Sequence, residues 1–256
     1  MNPARLQVQG LDHRFGGLQA VSEVSFDVPA QSITAVIGPN GAGKTTLFNL
    51  ISGMIRPQRG SIRLDGRELT RLAAHRIAQL GVSRTFQTAR LFPRLSALEN
   101  VMVGRHCRSR AGFLVGMFNL PWSWAEERAI RWKARELMEA LGIGDCAEEE
   151  AGALSFRQQR LVEIARALAS EPKLLMLDEP AAGLNLKETE ELARLIRSIR
   201  ESGITVLLVE HDMSLVMDIS DGVVVLNYGR KLAEGPPAEI QRDPQVIRIY
   251  LGGGHA

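Results

Sequence analysis

Four short runs of the 256-residue chain are apolar without alternation: Ile33 to Ile37, Leu174 to Leu177, Val206 to Val209 and Val223 to Leu226. Strands read this way when both of their faces are buried, as in a parallel sheet covered by helices. Helical stretches lie between the runs, notably Phe156 to Ala169 and Lys187 to Glu201, so the alternation predicts an α/β sheet with crossover helices. Hairpin signals sit elsewhere. Ser61 to Leu64 followed by Asp65-Gly66, and Asn227-Tyr228-Gly229 ahead of Arg230 to Ala233, predict antiparallel strands at the periphery. The segment from about Ala97 to Leu141 holds no buried-strand run. It carries two capping boxes, Ser96-x-x-Glu99 and Ser123-x-x-Glu126, and a C-terminal stop at Gly142, and it reads as a helical insertion into the α/β core. Gly252 to Gly254 read as a loose tail and Glu148 to Glu150 as a solvated turn.

Composition adds bounds rather than detail. With 45% hydrophobic, 23% charged and 5% aromatic residues, the chain is an ordinary globular one and not a disordered, fibrous or disulfide-scaffold protein. No apolar run approaches the roughly 18 residues of a membrane-spanning helix; the nearest, Ala111 to Phe118, stops at Asn119 and Pro121. The first residues, MNPARLQVQG, lack the apolar stretch of a secretory signal, which places the chain in the cytoplasm with Cys107 and Cys146 reduced and unpaired. The net charge of +2 conceals an asymmetry: residues 1–110 hold 15 Lys/Arg against 6 Asp/Glu, and residues 111–256 hold 16 against 23. Twelve arginines fall between Arg56 and Arg110, a zone suited to nucleic acid, acidic lipid head groups or another polyanion, and equally to a solvated face.

Two motifs carry chemistry. Gly38-Pro39-Asn40-Gly41-Ala42-Gly43-Lys44-Thr45-Thr46 matches GxxxxGK[ST] and stands where that motif works, between a buried strand and a helical run. Its glycines let the backbone wrap phosphates, with amide N–H groups from Gly41 to Thr46 facing the negative charge. Lys44 is placed to reach the β- and γ-phosphates, Thr45 to offer its hydroxyl to Mg²⁺, and Thr46 to contact the α-phosphate. The second motif, Leu174-Leu-Met-Leu-Asp178-Glu179-Pro180, ends a strand with two acids: Asp178 suits the Mg²⁺ shell, and Glu179 suits proton abstraction from the attacking water. Ligands of open α/β sheets bind at the carboxyl ends of strands, which is where both motifs fall.

Together with Gln87 in Arg84-Thr-Phe-Gln87, the segment Leu154-Ser155-Phe156-Arg157-Gln158 and His211 in Val209-Glu-His-Asp212, these motifs resemble the ATP-binding subunit of ABC transporters over about residues 5 to 252. The resemblance implies a P-loop NTPase fold of the ABC ATPase type. Its parts are a mostly parallel core sheet, a peripheral antiparallel β subdomain, and an inserted helical subdomain at 89–157 between core segments 1–88 and 158–256. It also implies head-to-tail pairing with a second ATP-binding subunit, in a homodimer or heterodimer, with ATP between one subunit's phosphate loop and the other's signature. By the same resemblance Phe15 stacks on adenine, Gln87 joins the metal site to the permease contact, and His211 contacts the γ-phosphate. Ser155, Arg157 and Gln158 would act in trans on the partner's nucleotide.

A finer similarity rests on Arg84 to Phe92, the insertion through Trp122 and Trp124, Pro180 to Leu184, Glu210 to Met213 and Asp243 to Leu251. These stretches are similar to the larger of the two ATP-binding subunits of the branched-chain amino-acid importer, with relatives that serve urea, short amides or aromatic acids. Such an importer implies two transmembrane permease subunits, a periplasmic solute-binding protein reached only indirectly, and a peripheral position on the cytoplasmic face of the inner membrane. Nucleic acid is not expected as a partner: DNA-associated ABC ATPases carry long coiled coils or zinc modules, and this chain has neither.

One position departs from the family pattern. The signature normally keeps a glycine where this chain has Arg157, and that glycine lets backbone N–H groups approach the γ-phosphate. Arg157 is expected to impair one composite site; the competing expectation is a guanidinium standing in as a phosphate ligand. A regulatory subunit without catalysis is a further alternative, opposed by intact Lys44, Asp178, Glu179 and His211. Asn185, where the family usually has Asp, is a milder departure.

Overall fold

The computed structural model describes residues 4–85, 91–105 and 121–251, apart from the side chains of residues 4, 121–126, 250 and 251. Gln87, Cys107 and the Ala111 to Phe118 run lie outside the described residues, as do the side chains of Trp122, Trp124, Ser123 and Glu126.

The backbone divides into two compact units, residues 1–84 with 173–256, and residues 85–172. The first unit holds two sheets. One is antiparallel, with strands β1 (Ala4–Phe15), β2 (Leu18–Pro29), β4 (Arg59–Leu64) and β5 (Arg67–Glu68) in the order β2-β1-β4-β5. The other runs β10-β9-β3-β8-β7-β6, where β3 is Ile33–Ile37, β6 Val82–Arg84, β7 Leu174–Asp178, β8 Thr205–Val209, β9 Gly222–Asn227 and β10 Arg230–Gly235. Its four inner pairings among β9, β3, β8, β7 and β6 are parallel, and β10 closes one edge antiparallel to β9. Strands β3, β7 and β8 are buried at every position, which explains their unbroken apolar sequence. Helix α1 (Lys44–Ile51) supplies Leu47, Phe48, Leu50 and Ile51 to one buried cluster that also contains Leu6, Val8 and Phe26 of the antiparallel sheet and Val36, Met176 and Leu207 of the parallel one. The expected hairpins are present: Asp65-Gly66 joins β4 to β5, and Tyr228-Gly229 joins β9 to β10.

Among the described residues, helices α2 (Ala74–Gln79), α6 (Leu186–Glu201), α7 (Met213–Ile219), α8 (Pro237–Ile240) and α9 (Pro244–Leu251) complete the helices of the first unit. The second unit is helical: α3 (Ala97–Arg105), α4 (Pro121–Ala140) and α5 (Phe156–Ala169) pack on one another. Ser96 and Glu99 form the expected reciprocal cap of α3, and Gly142 follows α4 with φ 67°. The unit extends to 85–172, beyond the 89–157 read from sequence, because α5 is one uninterrupted helix that packs with α3 and α4. Cys146, behind α4, is a buried free thiol that donates to the carbonyl of Ile143; burial pushes its pKa up. Among the described residues no helix is long and apolar enough to cross a membrane.

Candidate active site

The parallel pairing of β3, β7 and β8 sets their carboxyl ends side by side, and the expected functional residues follow from those ends. After Ile37 the chain turns through Gly38 to Gly43 into α1. Gly38 (φ 153°) and Gly43 (φ 100°) occupy backbone regions that L side chains rarely adopt. A Cβ on Gly38 would collide with the carbonyl oxygen of Leu226, and one on Gly43 with that of Ala20. The loop is seated between β2 and the β9–β10 turn, where Gly229 N–H donates to Ala42 O (3.0 Å) and Ser22 N–H to Gly229 O (2.7 Å). No side chain caps α1 and its first turn carries no acid, so its leading amide groups and positive helix end remain available to an anion.

Lys44 is only 7% exposed and donates from Nζ to the carbonyls of Gly38 (2.6 Å) and Pro39 (3.0 Å) within its own loop. Burial holds its pKa below the usual lysine value, while the charges of Glu179 and Asp178 pull it back up. Those two acids therefore lie within electrostatic reach of the ammonium, as their expected roles around one phosphate chain require. Thr45 is exposed and Thr46 half-buried in the first turn of α1; Asn40 and Gly41 are exposed at the rim of the loop, and Pro39 is half-buried.

Asp178 ends β7 and is buried. Its Oδ2 accepts from Nη2 of Arg84 at 2.8 Å, and Nη1 of Arg84 donates to Asn49 Oδ1 (2.7 Å) and Ser52 Oγ (3.2 Å). The guanidinium also lies over the ring of Phe48, 5.5 Å from its centroid. Arg84 thus ties the candidate metal carboxylate to the helix that follows the phosphate loop. In the sequence Arg84 stands out only as a residue leading to Gln87; its burial at the end of a strand shows only once β6 is paired with β7. The oxygen donors present, the Thr45 hydroxyl and the Asp178 carboxylate, suit a hard cation such as Mg²⁺, which is commonly bound through one or two carboxylates, waters and substrate phosphates.

Glu179 begins the next turn at φ 49°, a left-handed conformation uncommon for a non-glycine residue. Its Oε1 is 2.9 Å from Nε2 of His211, which follows β8. Between β8 and that histidine stands Glu210, 3% exposed. It accepts at Oε1 from Ala181 N–H (2.7 Å) and at Oε2 from His211 N–H (2.9 Å). Burial raises its pKa; the three backbone N–H groups of Ala181, His211 and Asp212 oppose that shift, and Glu179 adds to it. The one signal for Glu210 in the sequence is a charged residue continuing directly from the apolar run Val206 to Val209.

Phe15 ends β1 half exposed, its ring set edge-on to that of His13 with centroids 4.5 Å apart. In the second unit Ser155 is the N-cap of α5. Its hydroxyl accepts from Gln158 N–H (3.3 Å) while its own N–H donates to Gln158 Oε1 (2.9 Å). Arg157 is half-buried in the first turn of that helix. Asn185 caps α6 in the same way with Glu188, at 3.0 and 2.9 Å, which accounts for Asn at this position: its side-chain oxygen serves as an N-cap as well as an aspartate does. Both boxes are legible as Ser/Asn followed three residues later by Gln/Glu. Gln87 lies outside the described residues.

A strand–loop–helix cradle for phosphates, paired with an Asp-Glu strand end and a histidine on the next strand, defines an ATP-binding cassette, and the family model of the ABC transporter matches residues 21–182. The chain belongs to this family. A second model, the branched-chain amino acid ATP-binding cassette transporter, matches residues 230–256. The high-affinity branched-chain amino acid transport ATP-binding protein BraF of Pseudomonas aeruginosa is 49% identical over 96% of this chain and 97% of its own length. The corresponding protein LivG of Escherichia coli is 45% identical over 98% and 99%. Among solved structures, an ATP-binding cassette of an ABC transporter in its ADP conformation superposes with a TM-score of 0.86 at 31% identity, covering 98% of this chain and 100% of that one. A nucleotide-free cassette gives 0.85 at 30%, covering 97% and 99%.

Proposed function

We propose that this chain is the ATP-hydrolysing subunit of an ABC importer for branched-chain amino acids, acting peripherally on the cytoplasmic face of the inner membrane. The observation that carries the catalytic part is the Glu179–His211 contact of 2.9 Å at strand ends that also present Lys44 and Asp178. The cargo rests on the similarity to BraF and LivG, both branched-chain amino acid transport ATP-binding proteins, and on the match over residues 230–256.

In this reading the amide groups from Gly41 to Thr46 cradle the phosphates, and Lys44 exchanges its two loop carbonyls for phosphate oxygens. Phe15 stacks on the base. Glu179 accepts the proton of the water that attacks the γ-phosphoryl in line, and His211 holds the Glu179 carboxylate and the γ-phosphate side of the site in register. Thr45 and Asp178, with Gln87, would hold Mg²⁺, which when bound neutralises charge on the transferring phosphates. Glu179→Gln tests the assignment: the variant is expected to bind Mg-ATP and to turn over at least about 100-fold more slowly, and near-normal turnover removes Glu179 as the base.

The chain would pair with a second ATP-binding subunit and dock on two permease subunits fed by a periplasmic solute-binding protein. Its residues divide accordingly into a nucleotide-binding core with a β subdomain and an inserted helical subdomain carrying the signature. Arg157 sits in the first helical turn that the partner's nucleotide would meet, where a side chain replaces an open backbone approach, so the composite site using this signature is weakened while the one using Lys44 and Glu179 is intact. ATP turnover of the full complex is expected to rise with Arg157→Gly; no change sinks the impairment. Uptake of leucine, isoleucine and valine by the reconstituted complex tests the cargo, and uptake of urea, short amides or aromatic acids in their place would reassign it.

A further inference from the structure

The reaction as proposed leaves one buried carboxylate at the site without a role. Glu210 stands at the end of β8, one residue before His211, and its two oxygens serve two different loops. Oε1 accepts the N–H of Ala181, two residues beyond Glu179, at 2.7 Å; Oε2 accepts the N–H of His211 at 2.9 Å, with that of Asp212 at 3.5 Å. The same two loops meet a second time through the Glu179–His211 side chains at 2.9 Å.

Two physical points separate this arrangement from an incidental hydrogen bond. Burying a carboxylate is costly, and a strand end that needed only stability would be as well served by an apolar residue like the preceding Val209. Glu179 is also held in the left-handed region at φ 49°, a conformation that persists only where its surroundings over-determine it. Those surroundings are specific: the Glu179 N–H donates to Val209 O at 2.9 Å on one side, and the Ala181 N–H is captured by Glu210 on the other. The strained residue is thus bracketed by two consecutive residues of the β8 terminus.

We infer that Glu210 is a positioning residue for hydrolysis, whose carboxylate clamps the backbone after Glu179 to the backbone of His211 and so fixes the distance between the two side chains. The inference rests on the roles given to Glu179 and His211 above. Neither shortening nor amidation preserves the clamp. Glutamine offers one carbonyl oxygen, and its NH₂ faces an N–H donor; aspartate keeps both oxygens but is too short to reach both loops.

The test is ATP turnover of the full complex, with ADP affinity and melting temperature measured alongside, for Glu210→Gln, His211→Ala and the double variant. Glu210→Gln is expected to lower kcat about 10- to 100-fold, the scale of a misplacement on the order of 1 Å, with ADP affinity unchanged within about twofold. In the His211→Ala background the same change is expected to cost little more, since its effect passes through the histidine. Unchanged turnover, a parallel loss of ADP affinity, or the full loss repeated in the His211→Ala background overturns the inference. If Glu210→Gln does not fold, Glu210→Asp takes its place with the same selective loss expected; full turnover in that variant, or failure of both to fold, assigns Glu210 a structural role only and also overturns it. Failure of the underlying reading looks different: Glu179→Gln and His211→Ala would then retain near-normal turnover whatever Glu210 does.

Discussion

The phosphate loop of the first unit and the Ser155 turn of the second both lead into a helix N-terminus, yet they are held by different means. At the loop, Gly38 and Gly43 are enclosed by the carbonyls of Leu226 and Ala20, and Lys44 is buried against its own loop. The neighbours that need those glycines belong to the same chain, so folding itself selects against any side chain there. At Ser155 the helix is fastened by its own capping box, and Arg157 takes an ordinary position in the first turn. Nothing in the fold demands a glycine at 157; only a nucleotide carried by another subunit would. A departure from a family motif is therefore informative about function where the motif faces a partner, and about folding where it faces the chain's own backbone.

The comparison can be broken most directly at Gly43. Gly43→Ala forces a Cβ into the Ala20 carbonyl at φ 100° and is expected to cost at least about 3 kcal/mol and abolish nucleotide binding. Chemical denaturation and an ATP-binding titration check it, and a stable, binding variant would mean that the loop is not fixed by its neighbours. Arg84→Met should cost about 3 kcal/mol, because it takes a guanidinium from the buried carboxylate of Asp178. Arg84→Lys is expected to recover only part of that loss, since an ammonium cannot reach Asn49, Ser52 and Asp178 from one planar fork.

Smaller effects belong to the second unit. Ser155→Ala removes one cap and is expected to lower stability by about 1 kcal/mol, with no change in ADP affinity of the isolated chain. Arg157→Gly should leave stability within about 0.5 kcal/mol. A positive charge in the first turn opposes the helix dipole, and its removal offsets the poorer helix propensity of glycine. A loss above about 2 kcal/mol would show that Arg157 is built into the fold, and the contrast with Gly43 would fall.

Solvent pH gives a finer probe of the first unit. Burial works against the Asp65 carboxylate, but Lys173 and Arg5 outweigh it and hold its pKa below the ordinary aspartate value. Its contribution is therefore present above the unfolded-state pKa and lost as pH falls through the lower folded-state value. For exposed partners it amounts to about 0.5 kcal/mol, so Asp65→Asn should match the parent chain in strong acid and fall slightly below it at neutral pH.

Strands β3, β7, β8 and β9 were legible because burial on both faces leaves an unbroken apolar run, and α5 and α6 because helical periodicity and caps survive in any context. The long strands β1 and β2 were not. Their register shifts between Val8 and Leu11 and again by His13, so the period-2 pattern breaks before it can be recognised.

The site divides the same way. The order of residues by itself determined the phosphate loop, the Asp178-Glu179 strand end and the identity of each candidate group, because backbone conformation and side-chain chemistry there are local properties. Only the tertiary structure decided which groups hold which. Arg84 finds Asp178 from 94 residues away and His211 finds Glu179 from 32, while Glu210 reaches Ala181 across 29. These pairs exist because parallel strands bring their carboxyl ends to one edge of the sheet, an alignment set by burial of whole strands and not by any residue near the contact.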